Sequence, residues 1–432
     1  MNVVPEQTVL KRPAASAPGG LSRFAGRVRR GLRRRLKLCV RKLGKDHHVT
    51  LRLVKNEGEF GGARVLASLV NRETCFKGPV LYDQKLAMIQ QPALRTKAPD
   101  LTLLELDSVT VVGGTMVVMR DGKLLHPELL HTKTIHDEKA ADICRFADAE
   151  RVTVNLDGYT RFGGRPRIRV GIHLLKEHSA NFYHWLFECL PRLLHFREHL
   201  DKVDRRVTPV LLIEDNLLPA AHDTLKRTIN FPCEIQTVRR GEMVRCDKLY
   251  YVSPFWYSLD SSRHRSDPYT DYAVDKLAVE LVRNQFQSLI RSTPPTRRIF
   301  LPRAATQVRR IANAQEIETM MVANGFESLY AHDYSFAEQI ALFSSARLVV
   351  GASGAAFSNL VFMQPGSKAV IISPKQLELF NYYIFQQQAD VPGVELAHFL
   401  ATPEKPDDFY VHNDFVVNCD DLQNLVRRLL AE

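Results

Sequence analysis

From Arg298 to Ile372 short apolar runs alternate with helical stretches, and this rhythm limits the fold more than any other feature of the chain. Arg298–Leu301, Ser328–Tyr330, Leu348–Val350 and Ala369–Ile372 read as strands. Ala314–Ala323, Phe336–Ser344 and Ala355–Phe362 read as helices between them. Repeated strand–helix–strand units predict a parallel sheet with helices on both faces, and ligands in such sheets sit beyond the carboxyl ends of the strands. A looser version of the rhythm runs upstream of it from Arg167. It has a strand at Val210–Ile213, a helix over Asn216–Asn230, a strand at Leu249–Val252 and a long helix from about Tyr269 to Ile290. The stretch Arg291-Ser-Thr-Pro-Pro-Thr296 separates the two regions with adjacent prolines. Residues 49–135 differ from both: Val49–Val54, Arg64–Val70, Val109–Val112 and Met116–Arg120 are β-rich runs among turn signals such as Asp121-Gly122. They predict an antiparallel layer added to the first α/β region.

At 432 residues the chain is long for one core, so two domains are expected. The expected division is an arm over 1–45, then a first domain over 46–290, β-rich to 170 and α/β over 171–290. A second α/β domain follows over 297–400, and 401–432 form a terminal strand and helix, the helix running Asp420–Leu430. The seven cysteines (Cys39, Cys75, Cys144, Cys189, Cys233, Cys246 and Cys419) never form a CxxC pair and read as reduced thiols. No apolar run approaches the roughly 18 residues that a spanning helix needs, and no secretory leader is visible, so a cytoplasmic chain is expected.

The net charge of +11 belongs to one segment. Residues 11–45 hold 13 Lys or Arg and no acid, whereas the remainder carries 46 basic against 48 acidic residues. Residues 1–20 read as disordered. From Leu21 an apolar stripe (Phe24, Val28, Leu32, Leu36, Val40, Leu43) recurs at helical spacing between arginines. That pattern suits a peripheral helix on an anionic membrane surface, with packing on a partner as the alternative. Nucleic acid is disfavoured, because no aromatic residues interleave with the basic ones.

Three blocks carry candidate chemistry. In Asn181-Phe-Tyr-His184-Trp185-Leu-Phe-Glu188-Cys-Leu-Pro-Arg192, a regular helix would align Asn181, His184, Glu188 and Arg192 on one face. Trp185 would lie on the next stripe. A polar row on an apolar helix lines a cleft or is bonded internally, and a Glu one turn from a His suits a general base. The second block holds Arg303, Arg309 and Arg310, cations near the end of a predicted strand that suit a diphosphate. Asn313 has N-cap spacing to Glu316. The third, Leu348-Val-Val-Gly-Ala-Ser353-Gly354-Ala355-Ala-Phe-Ser-Asn359, runs from strand through small residues into a helix whose start favours phosphate. The dinucleotide pattern GxGxxG and the Walker pattern are both absent, which argues against a nicotinamide dehydrogenase and a P-loop kinase. The first block supplies only two metal-ligand types, and no other His/Asp cluster has matching spacing, so no metal site is expected.

In order and spacing these blocks resemble glycosyltransferase family 61. The family pattern N-x-x-H-W-x-x-(E/D)-x-L-P-R falls on Asn181 to Arg192. R-x-x-R with R-x-x-N falls on Arg303 to Asn313, and the Gly-Ala block falls on Gly351 to Ser367. The resemblance implies a GT-B fold, an α/β architecture of two Rossmann-like domains facing across a cleft. It also implies an inverting, metal-independent transfer from a nucleotide-sugar, a UDP-sugar by expectation, to a glycan or lipid-linked glycan. On this pattern His184 or Glu188 is the base and Asn181, Trp185 and Arg192 lie on the acceptor side. Arg303, Arg309, Arg310, Ser353, Gly354, Ala355 and Asn359 meet the donor. Ser353 replaces the family's commoner His, and Ile371 stands where many members carry a Glu, for which Glu378 is a candidate substitute. No cofactor is expected. A bacterial enzyme of capsule or exopolysaccharide synthesis, peripheral on the inner membrane face, fits best. A non-catalytic Rossmann-like scaffold of a membrane-associated assembly is the alternative.

Overall fold

The computed structural model describes residues 47–431 except 55–56, 84, 127–143, 149, 157–165, 205, 258–272, 304–308, 376–381 and 405–412. The expected basic arm and disordered start therefore lie outside the described residues, as do Cys39 and Glu378. In chain order the first strands are β1 (His47–Leu53), β2 (Ala63–Leu69), β3 (Glu73–Phe76), β4 (Val80–Tyr82), β5 (Met88–Gln90) and β6 (Leu94–Lys97). Then come β7 (Leu101–Val112), β8 (Val118–Arg120), β9 (Lys123–Leu125), β10 (Cys144–Phe146), β11 (Arg151–Leu156) and β12 (Arg167–His173). β13 (Val210–Glu214), β14 (Glu234–Val238), β15 (Met243–Val252), β16 (Trp256–Tyr257) and β17 (Ala273–Val274) complete the first region. Beyond the paired prolines lie β18 (Arg297–Leu301), β19 (Glu327–Ser328), β20 (Ala346–Ala352), β21 (Lys368–Pro374), β22 (Glu395–Pro403) and β23 (Phe415–Val416).

One sheet runs β10-β11-β1-β9-β8-β7-β15-β12-β13-β14, with β2 on β7. β15-β12-β13-β14 pair parallel, as do β1 and β9, and β15 meets β7 antiparallel with Leu249 opposite Leu106. The β-rich region is thus not a separate layer. It extends the α/β sheet edge to edge, because β7 hydrogen-bonds to β15 along most of its length, and its Leu and Val side chains are buried. The second sheet runs β19-β18-β20-β21-β22-β4-β5, with β23 on β22. From β19 to β22 every pairing is parallel, as the alternation predicts. The hairpin β4–β5 crosses from the first region to pair with β22 (Ala397 opposite Val80), so residues 80–90 depart from the expected division.

Two helices start where side chains supply caps. Ser335 and Glu338 form a reciprocal capping box ahead of Phe336–Ser344. The helix expected from Tyr269 starts later, as Lys276–Gln285, because Asp275 accepts the Leu277 N–H and ends the extended chain of β17. The C-terminal helix Cys419–Ala431 seats Leu422, Leu425, Val426 and Leu429 in the core of the second sheet. The stretch Ala355–Phe362 is a 3-10 helix.

Between the sheets lies a continuous apolar core. It contains Phe182, Tyr183, Leu186, Phe187, Leu190 and Leu194 from the helical segment after β12. These pack with Phe336, Phe343, Phe357, Leu360 and Phe362 from the second region. That contact places the first sequence block directly on the third.

Candidate functional site

β12 is flanked by parallel strands on both sides, and its carboxyl end leads into Leu174-Leu175-Lys176-Glu177-His178. The chain then turns at His178, which takes a left-handed φ of 59°. Asn181 caps the helix that follows, its side-chain oxygen accepting from the Tyr183 N–H at 2.9 Å. The helix is irregular: Phe182–His184 is α, Trp185–Cys189 is π and Leu190–Glu198 is α again.

His184 Nδ1 lies 2.8 Å from Glu188 Oε1, and Lys176 Nζ lies 3.2 Å from Glu188 Oε2. The Glu188 and Lys176 side chains are 4% and 6% exposed, whereas His184 is 19% exposed and is the member that reaches solvent. Burial alone would raise the Glu188 carboxyl. The charges and hydrogen bonds of His184 and Lys176 outweigh it and hold the group at about 2. An ionised carboxylate only accepts, so His184 donates from Nδ1 and its basic nitrogen is Nε2. The His178 ring stands 5.7 Å from the His184 ring.

Trp185 and Arg192 turn inward. Trp185 is fully buried and donates from Nε1 to Thr224 Oγ1 at 2.8 Å. Arg192 is buried and donates to the carbonyls of Val252 (3.0 Å), Leu175 (3.3 Å) and His173 (3.1 Å). The single helical face expected for Asn181, His184, Glu188 and Arg192 is broken. A π turn holds one residue more than an α turn, which rotates later side chains by roughly 100°. Arg192 therefore braces the helix on β12 and β15, away from the exposed His184 edge.

The second and third blocks meet at the carboxyl ends of neighbouring strands β18 and β20, where Leu301 lies opposite Gly351. Arg303 Nη1 donates to the Ser353 carbonyl at 2.6 Å. A Cβ on Gly354 would stand 3.0 Å from that same Nη1, so the glycine leaves room for the guanidinium. Burial, and then the nearby positive charge of Arg309, lower the Arg303 pKa to about 10. Arg309 holds a left-handed φ of 57°. Two cations brought together beside a partly exposed Ser353-Gly354-Ala355 turn favour an anion between them. Arg310 is engaged by Asp414, which accepts from its backbone N–H and its guanidinium and also acts on Arg303. Asn359 is fully buried, donating to Gln339 Oε1 (3.0 Å) and the Ala356 carbonyl (3.2 Å), so it fastens the 3-10 stretch internally. Ile371 is core in β21. Asn313 stands at its cap position but makes no side-chain cap; it bonds to Glu316 and to the Val417 backbone.

Sequence reasoning missed Lys176 and His178. The rule that ligands gather at carboxyl ends of parallel strands was the available signal, and it applies to β12 as much as to β20. Among the described residues no group of three or more His, Cys, Asp or Glu is arranged to hold a metal ion. No described helix is long and apolar enough to cross a membrane.

The helical segment carrying the His184–Glu188 pair packs on the 3-10 stretch that follows the turn where Arg303 docks, and the protein is a glycosyltransferase. Residues 182–371, which span all three blocks from Phe182 onward, match the family model described as glycosyltransferase 61. That stretch of the chain is similar to the family. No curated protein matches it. Among solved structures it is similar to the bacterial iron-containing dodecameric glycosyltransferase TibC from enterotoxigenic E. coli. The identity is 10% and the TM-score 0.29, over 76% of this chain and 93% of that one.

Proposed function

We propose that the protein is an inverting, metal-independent glycosyltransferase of the two-Rossmann (GT-B) type. It moves a sugar from a nucleotide-sugar donor, a UDP-sugar by expectation, to a glycan acceptor in cell-surface polysaccharide synthesis. The observation that carries this reading is a single contact. The helical segment bearing His184 and Glu188 packs on the 3-10 stretch that begins at the turn where Arg303 docks. His184 Nε2 takes the proton of the acceptor hydroxyl while that oxygen bonds to the anomeric carbon. The bond from that carbon to the diphosphate oxygen breaks in the same displacement, and its electron pair leaves with the diphosphate. Arg303 and Arg309 stabilise the departing charge. Glu188 is the weaker candidate for the base, because both its oxygens are engaged and its carboxyl is held at about 2.

Turnover of a donor–acceptor pair tests the reading. General-base catalysis is worth about 10²–10⁴ in rate, so His184→Ala should lower kcat by that order while the fold and nucleotide affinity survive. A folded variant with near-normal kcat would remove His184 from the role. The basic arm over 11–45 is proposed to hold the enzyme at an anionic membrane surface on the cytoplasmic side. Its deletion should abolish binding to anionic liposomes and spare turnover of a soluble acceptor, and unchanged liposome binding would refute the role.

A further inference from the structure

We propose that Lys176 is a positioning residue for the transfer reaction: by engaging the second oxygen of Glu188, it leaves His184 as the group that takes the acceptor's proton. The inference rests on the reading of His184 as the base. Its ground is geometric. Lys176 is nearly fully buried and spends its charge 3.2 Å from Glu188 Oε2, while His184 faces Oε1 of the same carboxylate at 2.8 Å. The lysine is itself held from below. Its backbone N–H bonds to Glu214, which also accepts from the Gly114 N–H at 2.8 Å. Lys176 is therefore fixed by the end of β13 and aimed at Glu188 by the fold.

The consequence concerns where a proton rests. A buried carboxylate whose sole partner is an imidazole stabilises the imidazolium, and the pair then keeps a proton at neutral pH. An imidazolium cannot act as a base. With the ammonium of Lys176 also matching the carboxylate, the imidazolium gains less from it and the ring gives up its proton at a lower pH, while Glu188 still fixes its tautomer and direction. Other charged groups on the packed elements are committed elsewhere. Arg192 bonds to the His173, Leu175 and Val252 carbonyls, and Glu177 faces His126. Arg283 of the helix packed on the π turn bonds to the Val361 and Met363 carbonyls, and Lys276 pairs with Glu280. Asp390 accepts from Gln386 and from the Lys77 backbone, and the stretch Ala355–Phe362 carries no titratable side chain. The His178 ring is a further titratable neighbour of His184 itself.

The test is a titration of the His184 ring by NMR in the full-length protein, assigned by its loss in His184→Gln, alongside the pH profile of kcat/KM. In Lys176→Met the ring should titrate about one unit or more higher, and the acid limb of kcat/KM should move up with it. Lys176→Arg, which keeps the charge, should restore both to near the original values. If Lys176→Met fails to fold, Lys176→Met/Glu188→Gln buries no unpaired charge and is compared with Glu188→Gln alone. The double variant should titrate higher than the single one. A His184 titration that does not respond to the loss of the lysine charge overturns the role of Lys176 and leaves His184 as the base. A titration that moves while the acid limb stays in place overturns both, because His184 is then not the group whose proton limits the reaction.

Discussion

Arg310 meets Asp414 through its backbone N–H and its guanidinium, whereas Arg303 reaches across to the Ser353 carbonyl with Arg309 close by. The three share a charge and a short stretch of sequence, but their surroundings assign them differently. Arg310 ties the chain ahead of β23 to the segment after β18, and its pairing with Asp414 uses the donors that a phosphate would need. The Arg303 pKa is lowered by burial and then by the positive charge of Arg309, and an anionic ligand beside the two would relieve that repulsion. Arg303→Ala should weaken binding of a nucleoside diphosphate such as UDP by roughly ten- to hundred-fold, the worth of a charged hydrogen bond at about 1.5–3 kcal/mol. Arg310→Ala should leave that affinity within about threefold, since an exposed ion pair is worth only about 0–1 kcal/mol. Calorimetric titration of the two variants checks the ranking. Equal losses would mean that Asp414 gives way and all three arginines share the ligand.

At the scale of elements, the parallel strands β18 to β21 were legible because each unit is local: an apolar run, a cap, an amphipathic turn; their order and the strand β22 were not. Gly351 shows the same logic at one position. A Cβ there would stand 2.6 Å from the Leu301 carbonyl oxygen and 2.7 Å from Leu301 Cβ, so the glycine lets β20 lie against β18 beside the Arg303 turn. Gly351→Ala should therefore destabilise the protein by about 1–3 kcal/mol, the usual cost of overpacking, and a denaturant midpoint unchanged from the parent would refute it. What was not legible depended on partners far away in sequence. Nothing local in Val80–Tyr82 says that it pairs with Ala397–Phe399, and nothing in β7 says that β15 will be its neighbour. The π turn was equally hidden. Spacing counted on a regular helix put Arg192 in line with His184 and Glu188, and one extra residue in the Trp185–Cys189 turn carried it into the core. The pairing of His184 with Glu188 survived because it spans that turn, whereas the lysine that completes it comes from the loop beyond β12.

For the whole molecule, the buried ionisable groups set a pH range of maximum stability. His398 is buried, with Nδ1 beside the Ser373 hydroxyl and Nε2 donating to the Tyr382 carbonyl, and burial lowers it to about 4. Burial, reinforced by His199, lowers His195 to about 4, and burial with Arg192 takes His173 well below 6.5. A histidine lowered in the folded state contributes stability that is present above its unfolded value, about 6.5, and lost as the pH falls towards the folded value. Glu177 and Glu188, both held at about 2, add a further loss between about 4.5 and 2. Glu214 acts in the opposite direction. Burial, which outweighs the bond from the Gly114 N–H, raises it to about 8. Its contribution is fully present below about 4.5 and declines as the pH rises towards 8, because the unfolded chain sheds that proton more readily. Between about 4.5 and 6.5 several histidines gain against one carboxyl, so stability rises; above about 6.5 only the Glu214 decline remains, and stability falls by about 2 kcal/mol up to pH 8. The melting temperature should peak near pH 6.5, on the ordinary histidine value, and drop by a few degrees by pH 8. Glu214→Gln keeps an oxygen for the Gly114 N–H but carries no proton to lose, so its melting temperature should stay level from about pH 6.5 to 8. Scanning calorimetry of both proteins across that range decides the matter. A parent protein that grows more stable up to pH 8, or a Glu214→Gln profile that falls in parallel with the parent's, would show that Glu214 is ionised in the folded state.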